Sequence, residues 1–580
     1  MNAEISNIIK KTKQNFKYMK IKQTNDSVKL YKDTLSQKKN MIQKSIRLSQ
    51  WELANKSKDF KEFFKYFNNL NKTQRVIGPL KKNNIIAESD IDIAEMLNDH
   101  FSSVFTIENT DNFPQNYKLN SSKCIEHPFK DFLVTKEEVE ILIDNLNENK
   151  SPGPDEIHPI LLKSAPKSFS CALSIIYNRS ITFGEVPIDW KLANISPVFK
   201  KGDKTDPNNY RPISLTSIIC KIFEKIIREK ISEHLAKNNL ITNSQHGFSK
   251  GKSCLTNLIE FFDIIMQWYD DDNPIDILYL DFEKAFDKVE HNKLLLKLKT
   301  YGFSEQILIW LKHWLIGRKQ RTQLNGKRSK WTDVLSGTPQ GTVLAATLFI
   351  IYIDDIDDIL IKFSILVKKI ADDTKLGKKI NCYNDAFEFQ KAIDLLTNWA
   401  EKWNMNFNVK KCKIIHIGSK NINFNYEINN DWLPIVDQEN DLGVIVSSDL
   451  KNSAQCISAK NKANKMLGII NRGISYKSED VIRKLYTTYV RPLLEYCVQF
   501  WSPYLIKDID MIESVQRRAT KMIPSLKKLS YEKRLEKLNL FSLKKRRLRG
   551  DMIELYKMIH GIDQVNLNQL FIFSNDRYKT

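Results

Sequence analysis

The sequence predicts a mixed α+β fold, and three patterns indicate it. The stretch Ile275–Leu280 alternates in side-chain character as a strand does, and it ends at Asp281. A β-hairpin pattern surrounds the adjacent pair Asp372 and Asp373. From Ser453 onward, the spacing of apolar residues is mainly helical. We therefore expect a small sheet accompanied by many helices.

Composition indicates a large protein with a polyanionic partner. A chain of 580 residues holds several domains if each takes roughly 100–200 residues. The longest nearly apolar run, Thr342–Ile353, is shorter than the roughly 20 residues that a membrane-spanning helix needs, so we expect no membrane partner. The net charge of +21 favours binding to phosphate groups. An AT-rich coding background would also enrich lysine, and the charge alone leaves that alternative open.

The eight cysteines contain no closely spaced pair. This distribution predicts neither a disulfide framework nor a zinc knuckle. A reducing intracellular compartment is therefore expected.

Domain divisions are expected after residues 134, 182 and 447. Residues 1–134 are predicted to form a lysine-rich helical extension, in which the helices of residues 1–75 lie along nucleic acid or another subunit and residues 86–106 form one amphipathic helix. In residues 135–182, Thr135 is expected to cap a helix. The apolar residues from Ile213 to Leu235 trace one helical face, which predicts a single helix there.

Asp281, Asp372 and Asp373 are the candidate catalytic and metal-binding residues. Taken alone, the first suits a strand end, and the pair suits a solvated turn. Together they suit two-metal nucleotidyl transfer, because magnesium prefers carboxylate and phosphate oxygens. Two ions can activate an attacking hydroxyl and stabilise a leaving oxygen. We expect two Mg²⁺ ions, with Mn²⁺ as a substitute.

Nucleotide-binding candidates lie around the first aspartate. Lys200 and Arg211 offer a point charge and a bidentate grip for phosphate oxygens, although a solvated lysine is an equal alternative for Lys200. The backbone amides of Phe282 and Glu283 are expected to face triphosphate oxygens at a helix start. Phe286 is expected to lie under the incoming sugar and to block a 2′-hydroxyl.

The loop Gly337–Thr342 precedes an apolar helix expected over Val343–Tyr352. Glycines such as Gly341 let backbone approach a base pair closely, and Gln340 offers a two-way amide to template or nucleotide. A plain structural turn is the alternative. The acids Asp354, Asp355, Asp357 and Asp358 are expected to be helix-end residues and not ligands.

A basic segment lies near the C-terminus. Residues 516–550 contain thirteen Lys or Arg against two Glu. Lys544 and Arg546 in this segment are candidate nucleic-acid contacts, either as a basic helix end that holds phosphate or within a nuclear-import signal.

Six motifs in a fixed order resemble the reverse transcriptase of jockey-like non-LTR retrotransposons. They are Ser151–Asp155, Asn209–Ser214, Gln245–Phe248, Asp281–Asp287, Gly337–Gly341 and Ala371–Asp373. The resemblance extends upstream to Phe63 and downstream to Ile523, and so covers most of the chain.

This resemblance implies a right-hand polymerase with fingers, a palm with an antiparallel sheet, and a helical thumb, flanked by helical extensions. Residues 135–182 would lead into the fingers, 183–447 would hold fingers and palm, and 448–580 would hold the thumb and a basic C-terminal region. The implied activity is RNA-directed DNA synthesis from a 3′-hydroxyl. Its partners would be an RNA template, a DNA primer or nicked target DNA, and dNTPs.

The resemblance also assigns roles to single residues. The three aspartates would bind metal, Phe286 would be the sugar gate, and Arg211 would clamp phosphate. One lysine among Lys410, Lys411 and Lys413 would protonate the leaving pyrophosphate, and the sequence does not choose between them.

Departures from the family pattern leave alternatives open. Ile370 stands where an aromatic residue is usual, and Leu344-Ala345-Ala346 replaces Leu-Gly-Pro. These changes would suit an inactive relic that only binds RNA or DNA. An RNA-directed RNA polymerase is disfavoured by Phe286 and Ala371. The nicking endonuclease of the family is not recognised here, so a separate endonuclease is an expected partner, and the nucleus or cytoplasm the expected location.

Overall fold

The computed structural model describes residues 3–56, 60–70, 77–82, 85–107, 113–115, 117–120 and 123–572. The chain forms two compact units. Unit 1 contains Met1–Arg75 and Asn440–Lys557, and unit 2 contains Val76–Glu439 and Met558–Thr580. Each unit therefore combines segments that are far apart in the sequence. These units divide the chain at other points than the predicted domains, whose boundaries stay a prediction.

Helices make up most of the described chain. They are α1 (Ala3–Lys22), α2 (Asn25–Asn55), α3 (Phe60–Leu70), α4 (Asp90–Ser102), α5 (Lys136–Asp144), α6 (Pro159–Ser164), α7 (Pro166–Phe183), α8 (Ile188–Lys191), α9 (Ile218–Lys237), α10 (Cys254–Asp270), α11 (Ala285–Lys288), α12 (His291–Thr300), α13 (Glu305–Leu315), α14 (Ala345–Ile353), α15 (Ile356–Leu360), α16 (Tyr383–Lys402), α17 (Ser453–Gly473), α18 (Glu479–Leu485), α19 (Arg491–Glu495), α20 (Val498–Trp501), α21 (Ile506–Lys521), α22 (Tyr531–Leu538), α23 (Leu543–Ile559) and α24 (Leu567–Leu570). Among the described residues, no helix is both long and apolar enough to span a bilayer.

The strands are β1 (Leu80–Lys82), β2 (Ile85–Ala87), β3 (Leu192–Phe199), β4 (Tyr210–Leu215), β5 (Ile275–Leu280), β6 (Arg318–Leu324), β7 (Lys327–Arg328), β8 (Thr332–Val334), β9 (Leu366–Ile370), β10 (Asp373–Lys379), β11 (Lys413–Ile417), β12 (Glu427–Ile428), β13 (Asp431–Trp432), β14 (Gln438–Asp441) and β15 (Val444–Ser447). The predicted α+β class is confirmed. The predicted strand before Asp281 is β5, and the predicted hairpin is β9 and β10. The helix expected after Thr135 is α5, which begins with a capping box between Thr135 and Glu138.

Two predicted helices are shorter than their apolar patterns. The pattern from Ile213 to Leu235 contains the end of β4, and α9 begins only at Ile218, because the Ser217 hydroxyl accepts the Cys220 amide and caps it there. Residues 86–106 likewise begin in β2, and α4 starts at Asp90 after the cap Ser89. In both places a serine cap sets the helix start, whereas the apolar periodicity alone predicts a helix that begins several residues earlier.

Two sheets dominate unit 2. The first has the order β11-β5-β10-β9 with every pair antiparallel, as predicted for the palm. The second has the order β4-β3-β6-β7, with β8 also on β6 and one parallel pair, β3 with β6. Leu278 and Leu376, from the middle of the first sheet, are fully buried in one large core with α16 residues such as Leu396. The ends of β5 and β10 are therefore held on a rigid support.

Unit 1 joins N-terminal helices to a C-terminal helical segment. Helices α1 and α2 form a hairpin around a two-residue turn, in which Asn15 donates to Thr34 across the interface (3.3 Å). Gln50 accepts the backbone N–H of Tyr476 (2.8 Å), and the Phe63 ring stacks on Tyr489 with centroids 4.0 Å apart. These contacts tie the first 70 residues to residues 470–490.

Candidate active site

Strand register places two of the candidate carboxylates side by side. In the β5–β10 ladder, Thr374 lies opposite Leu280, so the next step along both strands sets Asp373 level with Asp281. Directly opposed residues in antiparallel strands have Cβ atoms about 4.5–5.5 Å apart. Asp372 lies in the two-residue turn between β9 and β10. All three aspartates therefore lie at one end of the four-stranded sheet.

The turn that carries Asp372 is held by a second loop. The Gln245 side-chain oxygen accepts the N–H of Ala371 (3.0 Å) and that of Gly247 (2.7 Å). Ala371 has φ of 53°, a left-handed conformation that costs an alanine roughly 1–2 kcal/mol. A Cβ on Gly247 would lie 2.5 Å from the Ala371 nitrogen. The motif Gln245–Phe248, which carried no assigned role in the sequence, thus positions the aspartate turn.

Lys411 is the lysine that reaches the carboxylates. In the β11–β5 ladder Lys413 lies opposite Tyr279, so continuing the register sets Lys411 opposite Asp281. The Lys411 ammonium lies 2.9 Å from an Asp281 carboxylate oxygen. Lys413 instead donates to the Lys410 carbonyl (3.0 Å), and Lys410 is exposed. The structure therefore separates three lysines that the sequence could not distinguish.

Charges of both signs meet at this end of the sheet. Burial raises the pKa of Asp372, the negative charge of Asp281 raises it further, and Arg211 and Lys200 act in the opposite direction. Burial and the neighbouring charges of Arg211 and Lys411 lower the pKa of Lys200. Arg211 in β4 and Lys200, the residue after β3, thus lie close enough to interact with the charge of Asp372, and Lys200 also interacts with Asp281 and Lys411. Such a set can bind a triphosphate and the cations that accompany it.

The donor set fits a divalent cation in its chemistry. Within the described ranges, no group of three or more His, Cys, Asp or Glu side chains has the geometry of a formed metal site. Yet burial raises the pKa of Asp372 and the negative charge of Asp281 raises it further, and a hard cation that takes carboxylate oxygens would relieve the repulsion between the two carboxylates. In this structure Lys411 supplies the positive charge beside Asp281.

Phe282 and Glu283 differ from their predicted roles. The Phe282 side chain is buried and stacks on Phe407 with centroids 4.8 Å apart. The Glu283 amide donates to the Asn406 carbonyl (2.9 Å), so the expectation that this amide is free for phosphate is wrong. Past Asp281 the chain continues to pair with the segment around Phe407 before it turns, and this pairing engages the Glu283 amide. Nucleotide binding by Phe282 through its own backbone stays a prediction.

Phe286 and the glycine-rich loop form one packed assembly. The Phe286 ring is partly buried and stacks on Phe349 with centroids 4.4 Å apart, while its carbonyl accepts the Thr338 amide (2.8 Å). The Gln340 carbonyl accepts the Ser214 amide (2.7 Å). Gly341 has φ of 110°, and a Cβ there would lie 2.8 Å from the Ser214 carbonyl. The close approach that Gly341 permits is thus to protein backbone, and its contact with nucleic acid stays a prediction.

The basic cluster of α23 lies in unit 1, and one of its cations, Arg546, is ion-paired. The Nε and Nη2 groups of Arg546 pair with the two carboxylate oxygens of Glu495, with one N–O distance of 3.0 Å, and a contact of Arg546 with nucleic acid stays a prediction. The Glu513 carboxylate accepts the amides of Leu543 and Lys544 (3.2 and 3.4 Å) and occupies the helix start where a phosphate was expected. The Lys544 side chain is exposed and remains a candidate contact.

Comparison with known proteins agrees with this geometry. Residues 199–470 match the family described as reverse transcriptase (RNA-dependent DNA polymerase). The chain is 26% identical over 421 residues to the probable RNA-directed DNA polymerase from transposon X-element of Drosophila melanogaster, covering 70% of this chain and 45% of that protein. It is 26% identical over 432 residues to the RNA-directed DNA polymerase from mobile element jockey of Drosophila funebris, covering 71% and 46%.

The matched region spans less than half the length of these relatives. Among solved structures, telomerase from Candida tropicalis in complex with a fragment of telomeric RNA is 12% identical, with a TM-score of 0.36 and coverage of 62% of this chain and 58% of that chain. The matched range contains all three aspartates and both cationic residues of the sheet end. Residues 199–470 are therefore a reverse transcriptase domain, in a chain similar to the RNA-directed DNA polymerases of jockey and other non-LTR transposons.

Proposed function

We propose that this protein is an RNA-directed DNA polymerase of a non-LTR retrotransposon that extends a 3′-hydroxyl on an RNA template. The observation that carries the proposal is the meeting of Asp281, Asp372 and Asp373 with Lys200 and Arg211 at one sheet end of a reverse transcriptase domain. Nucleotidyl transfer from a triphosphate requires carboxylates that hold metal ions, next to basic side chains that hold phosphate.

The three aspartates would hold two Mg²⁺ ions, which supply activation of the attacking hydroxyl and stabilisation of the leaving oxygen. Arg211 is exposed and makes no ion pair within the described residues, so its fork is open to two phosphate oxygens. Phe286 would lie beneath the sugar and exclude a 2′-hydroxyl. Lys411 would bring a proton to the leaving pyrophosphate, because its ammonium lies next to Asp281.

A nucleic-acid partner is further supported by the α1–α2 hairpin in unit 1. Residues 3–55 contain twelve Lys or Arg against four Asp or Glu. None of the hairpin lysines forms an ion pair within the part of the chain that is described. Lys10, Lys13, Lys17 and Lys20 are all exposed and are three or four residues apart, so they share one face of α1. Unpaired cations in a row suit a phosphate backbone.

Primer extension on poly(rA)/oligo(dT) with Mg²⁺ tests the proposal, comparing the unchanged protein with Asp372→Asn/Asp373→Asn. We expect extension by the unchanged protein and a loss of about 10³-fold or more in the variant, since bound metal contributes several kcal/mol and each 1.4 kcal/mol is tenfold. The same reactions with Mn²⁺ test the metal, and competition between rNTPs and dNTPs tests the sugar gate.

The fold of the variant serves as its control. Because the folded protein raises the pKa of Asp372, it favours an uncharged side chain there, and ionisation costs stability as the pH rises through that pKa. Within the double variant, the Asp372→Asn exchange should therefore not lower the melting temperature at neutral pH. If the unchanged protein binds the hybrid without extending it under either metal, the polymerase proposal is wrong and the chain is a binding relic.

A further inference from the structure

Asp287 and Gln340 face each other behind the sugar gate. Asp287 follows Phe286 in α11, and both of its carboxylate oxygens lie 3.4 Å from the Gln340 side-chain nitrogen. The Asp287 backbone carbonyl accepts the Ser336 hydroxyl (2.7 Å). A Cβ on Gly337 would lie 2.8 Å from the Asp287 Cα. The two segments are locked together by their backbones, so the pairing of the side chains is set by the fold.

The chemistry of the pair gives Gln340 a direction. An ionised carboxylate only accepts hydrogen bonds, whereas a primary amide has a donor end and an acceptor end. Asp287 therefore selects the NH₂ end of Gln340 and turns its oxygen, Oε1, the other way. Within the described residues Oε1 has no hydrogen-bond donor, and Gln340 is only half-buried. An acceptor thus remains available to a bound molecule.

The ionisation state of Asp287 depends on its burial and on the charge of a neighbouring lysine. Burial raises the pKa of Asp287 to about 6, and the Lys284 ammonium counteracts this rise. Asp287 is therefore largely ionised at pH 7.5 and above, where it acts as an acceptor only.

We propose that Asp287 is a positioning residue that fixes Gln340 as a hydrogen-bond acceptor, so that the site selects a donor hydroxyl on the sugar of the incoming nucleotide. A sugar hydroxyl is the donor favoured by position, because Phe286, the proposed sugar gate, is the residue next to Asp287 and its carbonyl holds the Gln340 loop at Thr338. This inference rests on the proposed polymerase function and specifies which end of the Gln340 amide the nucleotide site presents.

An exchange of groups tests the proposal. Asp287→Asn replaces an acceptor-only group with an amide, so Gln340 can turn either way. Gln340→Glu sets two carboxylates against each other. In the double variant Asp287→Asn/Gln340→Glu, the asparagine NH₂ donates to the glutamate, an acceptor again faces outward, and the pair keeps one negative charge. Asp333→Asn, which removes an exposed carboxylate in β8, is the matched control.

The readout is kcat/KM at pH 7.5 for a dNTP against its 3′-deoxy analogue. We expect Asp287→Asn to reduce this discrimination about tenfold, the value of one hydrogen bond of roughly 1.4 kcal/mol. Gln340→Glu should lose most incorporation, and the double variant should recover at least tenfold over Gln340→Glu. Equal discrimination in Asp287→Asn and the unchanged protein, or a double variant no better than Gln340→Glu, overturns the inference.

Melting temperatures separate this inference from the proposed function. The paired carboxylates of Gln340→Glu should lower the melting temperature, and adding Asp287→Asn should restore it. If the unchanged protein extends no primer, the polymerase proposal fails, while this cycle still reports the pairing. Additive shifts in the melting temperatures would show that the side chains are not coupled and would overturn the inference by themselves.

Discussion

At the residue scale, Lys411 shows how a strand register selects one side chain from three similar ones. Lys410, Lys411 and Lys413 are within four residues of one another, yet only Lys411 lies level with Asp281 across the β11–β5 pair. Lys413 is one pleat away, where its ammonium meets the Lys410 carbonyl. A proton donor for pyrophosphate must be within hydrogen-bond reach of the phosphate site, and of the three lysines Lys411 is the one that lies beside the proposed metal ligand Asp281.

Lys411→Ala should lower kcat by about 100-fold with little change in the KM for dNTP, because general acid catalysis contributes about 10²–10⁴-fold. Rapid-quench measurement of single-nucleotide incorporation checks this. Lys410→Ala and Lys413→Ala are matched controls that remove the same charge, and we expect each within about threefold of the unchanged protein. An equal loss in all three variants would mean that the effect is general electrostatic attraction and not proton transfer.

At the element scale, the loop Gln245–Gly247 and the β9–β10 turn act as one piece. Besides the side-chain contacts of Gln245, the His246 amide donates to the Lys369 carbonyl (2.8 Å), and the Lys369 amide donates to the Ser244 carbonyl (2.8 Å). This ladder runs beside β9 up to the residue before Ile370. The orientation of Asp372 is therefore fixed by an element about 125 residues earlier in the chain.

Gly247→Ala should disturb the aspartate turn without touching an aspartate. Its Cβ would lie 2.5 Å from the Ala371 nitrogen, a backbone atom, so the turn must shift at a cost of about 1–3 kcal/mol. We expect at least tenfold lower activity and a higher Mg²⁺ requirement, measured by metal titration of primer extension. Gly78→Ala is the matched control, since its Cβ would meet nothing within 4 Å. An unchanged Mg²⁺ requirement would separate the loop from the metal site.

The α1–α2 hairpin allows a second test at this scale. Replacing Lys10, Lys13, Lys17 and Lys20 by Gln should weaken binding of RNA and reduce the slope of log affinity against log salt by about 3, at about 0.7 for each single-strand phosphate contact. Filter binding at several salt concentrations measures this slope. The same exchange at four exposed lysines of unit 2, namely Lys299, Lys312, Lys319 and Lys327, is the control. Equal slopes in the two variants would mean that the hairpin cations are merely solvated.

At the scale of the whole molecule, the first 75 residues belong to the same unit as residues 440–557. The contact that exemplifies this is Phe63, which is fully buried and stacked on Tyr489. Large buried aromatic side chains contribute strongly to stability because their removal leaves a cavity. A protein with two such units is expected to unfold in more than one step.

Phe63→Ala should destabilise unit 1 alone by about 3–5 kcal/mol. Calorimetry should show one of two transitions shifted downward, and hydrogen exchange should accelerate in residues 440–557 but not in residues 76–439. Phe541→Ala is the control, because Phe541 also lies in unit 1 but its side chain is 58% exposed. A uniform loss of protection across both units would contradict the division into units.

The sequence by itself determined the class of fold, the strand before Asp281 and the hairpin around Asp372 and Asp373. These features are local, since alternation over six residues and a two-residue turn depend on neighbours in the chain. Six ordered motifs then supplied the family. The helix starts at Ile218 and Asp90 were also encoded locally, in Ser217 and Ser89, but the apolar periodicity concealed them.

Only the tertiary structure decided which side chains meet. The register of β11 on β5 places Lys411, and not its neighbours, opposite Asp281. Gln245 accepts a hydrogen bond from Ala371, more than a hundred residues later in the chain, and Arg546 forms an ion pair with Glu495. The sequence patterns also did not predict that the first 75 residues group with residues 440–557. Each of these outcomes depends on pairing between distant segments, and the periodicity of a single segment carries no information about its partner.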